Sequence, residues 1–141
     1  MADTDEGAST EAEIDETAAA PSPTVDSDVV VDVYDVDDDG NPDTVIVTET
    51  STVDVDGDGV PDIVQQVVTT AIDLDGDGVP DIVDRTTTTA VDVDGDGTID
   101  IIDEVTETGV DVDGDGTIDE VGVTETTFVR DDDESESDAQ A

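Results

Sequence analysis

The stretch DVDGDGVPDIVQQVVTTAIDLDGDGVPD, residues 54–81, holds two copies of one nine-residue pattern, separated by ten residues of a different kind. The pattern is Asp-x-Asp-x-Asp-Gly-x-x-Asp. Outward along the chain it recurs without insertion from Asp35, Asp54, Asp73, Asp92 and Asp111, each step being 19 residues long. The copies read DVDDDGNPD, DVDGDGVPD, DLDGDGVPD, DVDGDGTID and DVDGDGTID. Counted from the first Asp, positions 1, 3, 5 and 9 are Asp in all five copies, position 6 is Gly, and position 2 is Val or Leu. Twenty of the 44 acidic residues therefore stand in four columns, an order that acidity alone does not produce. A fixed short period marks a repeat array.

The spacers decide what kind of array. Ten residues such as IVQQVVTTAI (63–72) or IVDRTTTTAV (82–91) cannot hold two helices and a turn. The run Thr86-Thr87-Thr88-Thr89 is a poor helix former, and the β-branched content predicts one strand per spacer. A ten-residue strand reaches roughly 33 Å. Alternation is weak: apolar residues gather at the strand ends beside the loops, and the middles are polar and Thr-rich. An all-β repeat sheet follows, in one of two forms. In an antiparallel meander each loop is a hairpin turn, and VVVDVY (29–34) is the opening strand. In a β-solenoid each spacer needs a second corner, yet the spacers contain no Pro and only Gly109 and Gly122. The meander is favoured, and the solenoid is the alternative.

The loop chemistry points to a hard cation. Calcium takes 6–8 oxygen ligands, carboxylates and backbone carbonyls above all. Asp35, Asp37 and Asp39 converge as the first loop curls, and so do Asp54, Asp56 and Asp58 in the second. Their counterparts are Asp73, Asp75 and Asp77, then Asp92, Asp94 and Asp96, then Asp111, Asp113 and Asp115. Gly at position 6 allows the sharp turn. The position-7 carbonyl of Asn41, Val60, Val79, Thr98 or Thr117 is the expected neutral ligand. Asp43, Asp62, Asp81, Asp100 or Asp119 closes the site, directly or through water. An EF-hand loop ends on a bidentate acid at position 12. That column holds Ile46, Gln65, Asp84, Asp103 and Gly122, so only Asp84 and Asp103 offer that closure. About five Ca²⁺ are expected, with the first and fifth sites weakest; a lanthanide also suits such a site.

These loops resemble the calcium loops of thrombospondin type 3 repeats, integrin-type FG-GAP repeats, bacterial dockerins and EF-hands. The resemblance spans about nine residues per copy within residues 35–119. It does not extend to the 19-residue period, to the cysteines of thrombospondin repeats or to the helices of dockerins. It implies calcium ligation by Asp54, Asp56, Asp58 and Asp62 and their equivalents, and carries no adhesion or docking function with it.

Composition bounds the rest. The 141 residues carry a formal charge of -42, with Arg85 and Arg130 the only cationic side chains. Such a chain repels itself and is a poor ligand for nucleic acid. Metal ions, a basic protein, or a second copy meeting an exposed sheet edge are the fitting partners. The absence of Cys and His excludes thiolate and imidazole sites, and with no Lys either, no catalysis is expected. No apolar run approaches the ~20 residues of a membrane helix. Residues 1–28 and 131–141 read as disordered acidic tails around a repeat domain at 29–130. The start lacks the features of a signal peptide, which implies an internal protein or another export route. Tyr34 and Phe128 are expected to cap the sheet ends, and the two arginines to relieve charge. A merely salt-adapted acidic surface is the competing reading, but it explains neither the Gly column nor the period. A folded structural or interaction module and a soluble calcium buffer or sensor both remain open.

Overall fold

The computed structural model describes residues 22–130. Six strands run in chain order: β1 Thr24–Tyr34, β2 Thr44–Asp54, β3 Ile63–Ile72, β4 Ile82–Val91, β5 Ile101–Val110 and β6 Glu120–Val129. They form one open sheet in the order β1-β2-β3-β4-β5-β6, every neighbouring pair antiparallel. This is the meander. With no turn-forming residue that recurs from spacer to spacer, the chain reverses only at the Asp-Gly loops. Of the tails expected at 1–28 and 131–141, residues 1–21 and 131–141 lie outside the described residues.

The first strand begins at Thr24 rather than at Val29, so the ordered array starts earlier than the apolar run VVVDVY suggests. The reason is tertiary. β2 runs to Asp54, and its far end needs a partner; Thr24 stands opposite Asp54, Asp26 opposite Thr52 and Asp28 opposite Thr50. Ladder pairing draws in a segment whose own composition does not ask for a strand.

The register is regular. Ile63 lies between Val53 and Val91, and Ile72 between Thr44 and Ile82. Apolar residues thus pair in bands close to the loops, while Thr86 and Thr106 share a hydroxyl hydrogen bond of 3.0 Å across the middle of β4 and β5. The period is odd and direction reverses at each loop, so a given column stands on opposite faces in successive strands. Both faces have the same design, and neither is covered by a second layer. Among the described residues only Val67 is a buried hydrophobic.

Arg85 meets Glu107 across β4 and β5 at 3.3 Å, the charge relief expected of it. Tyr34 and Phe128 lie on the two edge strands but are 50% and 61% exposed, so they cover little. No described helix is long and apolar enough to cross a membrane.

Candidate metal centres

In a meander successive loops lie at alternate ends of the sheet. Loops one (35–43), three (73–81) and five (111–119) share one end; loops two (54–62) and four (92–100) share the other. Loops at the same end are two strand separations apart, roughly 10 Å. They are tied in series. The Asp73 N–H donates to the Asp43 carbonyl at 2.9 Å, Asp92 to Asp62 at 2.8 Å and Asp111 to Asp81 at 2.8 Å. Arg130, which holds position 1 of the next period, donates to Asp100 in the same way at 2.7 Å.

Each loop is built on its first aspartate. In loop two the Gly57 N–H donates to Asp54 Oδ1 at 2.6 Å and the Gly59 N–H to Asp54 Oδ2 at 2.8 Å. The next two carboxylates each close a small turn: Asp56 Oδ1 accepts from the Asp58 N–H at 3.0 Å, and Asp58 Oδ1 from the Val60 N–H at 2.7 Å. Asp62 Oδ2 accepts from the Val55 N–H at 2.6 Å, and the Asp62 N–H reaches the Val53 carbonyl at 2.8 Å, locking the hairpin. Loops three, four and five repeat the first-aspartate bonds at 2.7–2.8 Å.

Two residues per loop adopt the left-handed region. Position 6 was legible as a glycine requirement; Gly59 has φ 93°. Position 4 has the same need, with Gly57 at φ 76°. Loop one places Asp38 there at φ 63°, the one non-glycine with positive φ among the described residues. That glycine column was visible in four of the five copies, and its meaning lay in the backbone.

The expected ligands do converge. Carboxylate oxygens within 4.8 Å of one another come from Asp35, Asp37 and Asp39; Asp54, Asp56 and Asp58; Asp92, Asp94 and Asp96; and Asp111, Asp113 and Asp115. In loop three the group is Asp73, Asp75 and Asp81, with position 9 in place of Asp77. Such oxygen-only sets suit a hard metal ion. Asp84 and Asp103 stand apart from these groups. Asp84 Oδ1 accepts from the Thr108 hydroxyl at 2.5 Å and Asp103 Oδ1 from Thr127 at 2.6 Å, each directly across the ladder. Gln65 fills the same column and donates to Thr89 at 3.2 Å. Position 12 is thus a cross-strand pairing position here. Position 7 contributes its N–H to position 5 in every loop, from Asn41, Val60, Val79, Thr98 and Thr117.

The electrostatics set position 1 against position 3 in loops four and five. Asp54, Asp73, Asp92 and Asp111 are 8%, 7%, 5% and 7% exposed, the buried polar residues of this protein. Burial pushes the Asp73 carboxyl up, but the N–H groups of Gly78, Gly76, Asp77 and Asp75 outweigh it and hold its pKa below 3.8. The same balance, burial against N–H groups led by Gly97 and by Gly116, lowers Asp92 and Asp111. Position 3 moves the other way. The charges of Asp115 and Asp119 raise Asp113. For Asp94 the Asp96 N–H lowers the pKa, but burial and the charges of Asp96, Asp100 and Asp92 outweigh it. One carboxylate is thus held ionised while its neighbour resists ionisation, the conflict expected of like charges gathered without a counterion.

No protein family, curated protein or solved structure matches this chain.

Proposed function

We propose that this chain is a calcium-binding structural or interaction module whose folding is coupled to uptake of about five ions, one per loop. The observation that carries this reading is the inversion of its interior: among the described residues, one buried valine stands against four buried aspartates. Apolar burial of that extent cannot offset the conformational entropy of ordering the sheet. A divalent ion in each loop supplies what the sheet lacks. It binds the carboxylates that repel one another, and its binding energy becomes folding energy. Five such ions bring the formal charge from -42 to about -32.

The module reading is favoured over the buffer or sensor by position 12. With Asp84 and Asp103 engaged on Thr108 and Thr127, each loop leaves ligand positions to water. Fewer protein ligands mean weaker sites, in the ~10⁻⁴–10⁻³ M range of extracellular modules rather than the ~10⁻⁷–10⁻⁵ M range of sensors. The likeness of the loops to thrombospondin type 3 and FG-GAP calcium loops supports the choice of ion. No catalytic role is proposed.

Far-UV circular dichroism with calcium and with chelator tests the coupling. The expected result is a mostly disordered chain in chelator and a β spectrum in millimolar calcium. An identical spectrum in both would remove the proposal. Calorimetric titration in the same buffer should reach a stoichiometry near five.

A further inference from the structure

The two rows of loops do not end in the same way. The row of loops two and four is finished inside the chain. Thr24 pairs with Asp54 at one end, where a preceding loop would supply its ninth residue, and Arg130 bonds Asp100 at the other. The row of loops one, three and five is open at both ends. Among the described residues no preceding loop takes the Asp35 N–H, and the Asp119 carbonyl has no counterpart of the bonds accepted by Asp43 and Asp81. Asp35 is exposed, whereas the four other first aspartates are buried.

The edge strands are unfinished in a matching way. On one face β1 presents Val25, Val29, Val31 and Val33, which are 71%, 56%, 54% and 55% exposed. On the same face of the sheet β6 presents Val121, Val123 and Val129, which are 67%, 62% and 68% exposed. Each edge also carries a row of outward backbone donors and acceptors.

The geometry points to head-to-tail self-association, in which β6 of one copy pairs antiparallel with β1 of a second copy in the register that continues the meander. The inference rests on the ion-folded state proposed above and names its partner as the same chain. Extending the constant register by one strand sets Val121 opposite Val33, Val123 opposite Val31 and Val129 opposite Val25 of the next copy. Glu120 falls opposite Tyr34, Glu125 opposite Val29, and Asp26, Asp28 and Asp32 opposite Phe128, Thr126 and Gly122. No acid directly faces an acid, which a chain of charge -42 achieves only in selected registers. Pairing β1 with its own copy at full overlap instead sets Asp26 against Asp32 twice.

The same register brings Asp35 of the next copy beside Asp119, where its N–H completes the missing bond. The row of loops one, three and five then continues across the junction at constant spacing. The other row skips one loop there, between Arg130 and the neighbouring copy's Thr24. The contact is heterologous and continues as an open ribbon.

The chain has no cysteine, so a pair of single substitutions reads the register. Val31→Cys and Val123→Cys, both exposed, are mixed in equal amounts in full-length protein with calcium chloride and oxidised. The expected product is the mixed Val31–Val123 disulfide, at least tenfold over either self-pair, while wild-type mass by sedimentation rises with concentration. Self-pairs at equal yield, or a wild-type mass fixed at one chain, overturn the inference. Circular dichroism of the same samples separates the two readings. A calcium-dependent β spectrum with monomeric mass overturns self-association alone. A spectrum unchanged by calcium overturns the ion-coupled fold on which it rests.

Discussion

Loops one and two carry the same four aspartates and the same position-6 glycine, yet they differ in how far the chain holds those aspartates ready. In loop two Asp54 is 8% exposed and receives two short N–H bonds, from Gly57 at 2.6 Å and Gly59 at 2.8 Å. In loop one Asp35 is exposed; Gly40 donates at 2.9 Å, but the other bond comes from Asp39 at 3.2 Å. Two causes are visible. Asp38 occupies the left-handed position that Gly57 fills in loop two, and among the described residues Asp35 has neither a loop nor a strand at its back, where Asp54 has Thr24. A ligand set alone does not make equivalent sites. The backbone that aims the ligands and the neighbour that excludes water set the difference.

The sharpest way to break the comparison is to remove the first aspartate from each loop. Asp54→Ala removes the buried carboxylate that accepts from the Gly57 and Gly59 N–H groups, two charge-assisted bonds of about 1.5–3 kcal/mol each. It should also abolish one ion, reducing the stoichiometry by one and lowering Tm by several degrees in calcium. Asp35→Ala should shift Tm by less than half as much, because the Asp35 carboxylate already faces water. Thermal melts of both variants, with calorimetric ion counts, measure this. Equal losses would show that the fold does not distinguish the loops.

Asp38→Gly narrows the comparison instead of breaking it. A left-handed conformation costs an ordinary L-residue roughly 1–2 kcal/mol, somewhat less for Asp. Relieving it in loop one should stabilise the calcium form by about 0.5–1 kcal/mol and tighten the weakest step of the titration. Gly57→Ala introduces the same strain into loop two and should cost about 1 kcal/mol. Denaturant midpoints at fixed calcium report both.

Acid separates the two kinds of aspartate within a loop. Asp73, Asp92 and Asp111 have lowered pKa values, so their contribution to stability is complete above 3.8 and is lost as pH falls through their lower folded values. Asp94 and Asp113 have raised values, so between 3.8 and those values the folded state binds more protons, and their repulsion weakens the ion-free fold as pH rises through that window. Calcium must displace those protons. Proton competition for calcium should therefore begin above pH 3.8, while the first aspartates are still ionised. A pH series of dichroism and calcium activity should show affinity falling from above pH 3.8, with the β signal lost as the ions leave.

The meander was legible because the loops hold every turn-forming residue and the spacers hold none that repeats. The four aspartate columns gave the candidate sites for the same reason, since ligand chemistry is local. What sequence did not disclose was tertiary. Thr24 to Asp28 read as a polar tail, and only the exposed end of β2 makes them a strand. Position 1 reads like positions 3 and 5, and only the neighbouring loop, or for Asp54 the β1 strand end at Thr24, buries it. The Val or Leu at position 2 has no packing explanation within one chain, Leu74 being 69% exposed.

Position 12 is where local likeness and tertiary structure disagree most, and it carries the smallest expected effect. By loop spacing Asp84 is the closing ligand of site three. By ladder register it is the partner of Thr108, as Gln65 is the partner of Thr89 in a repeat with no acid there. Asp84→Asn keeps an acceptor for the Thr108 hydroxyl and removes the charge. If pairing is its role, the ion count stays unchanged and stability moves by less than ~0.5 kcal/mol, as for an exposed polar substitution. If closure is its role, calcium affinity at one site falls by an order of magnitude or more while the ion-free chain is unaffected. Titration of Asp84→Asn beside Asp103→Asn decides between them. A pair of unchanged isotherms would fix position 12 as a strand residue, and would leave loops three and four with the same open coordination as loop two.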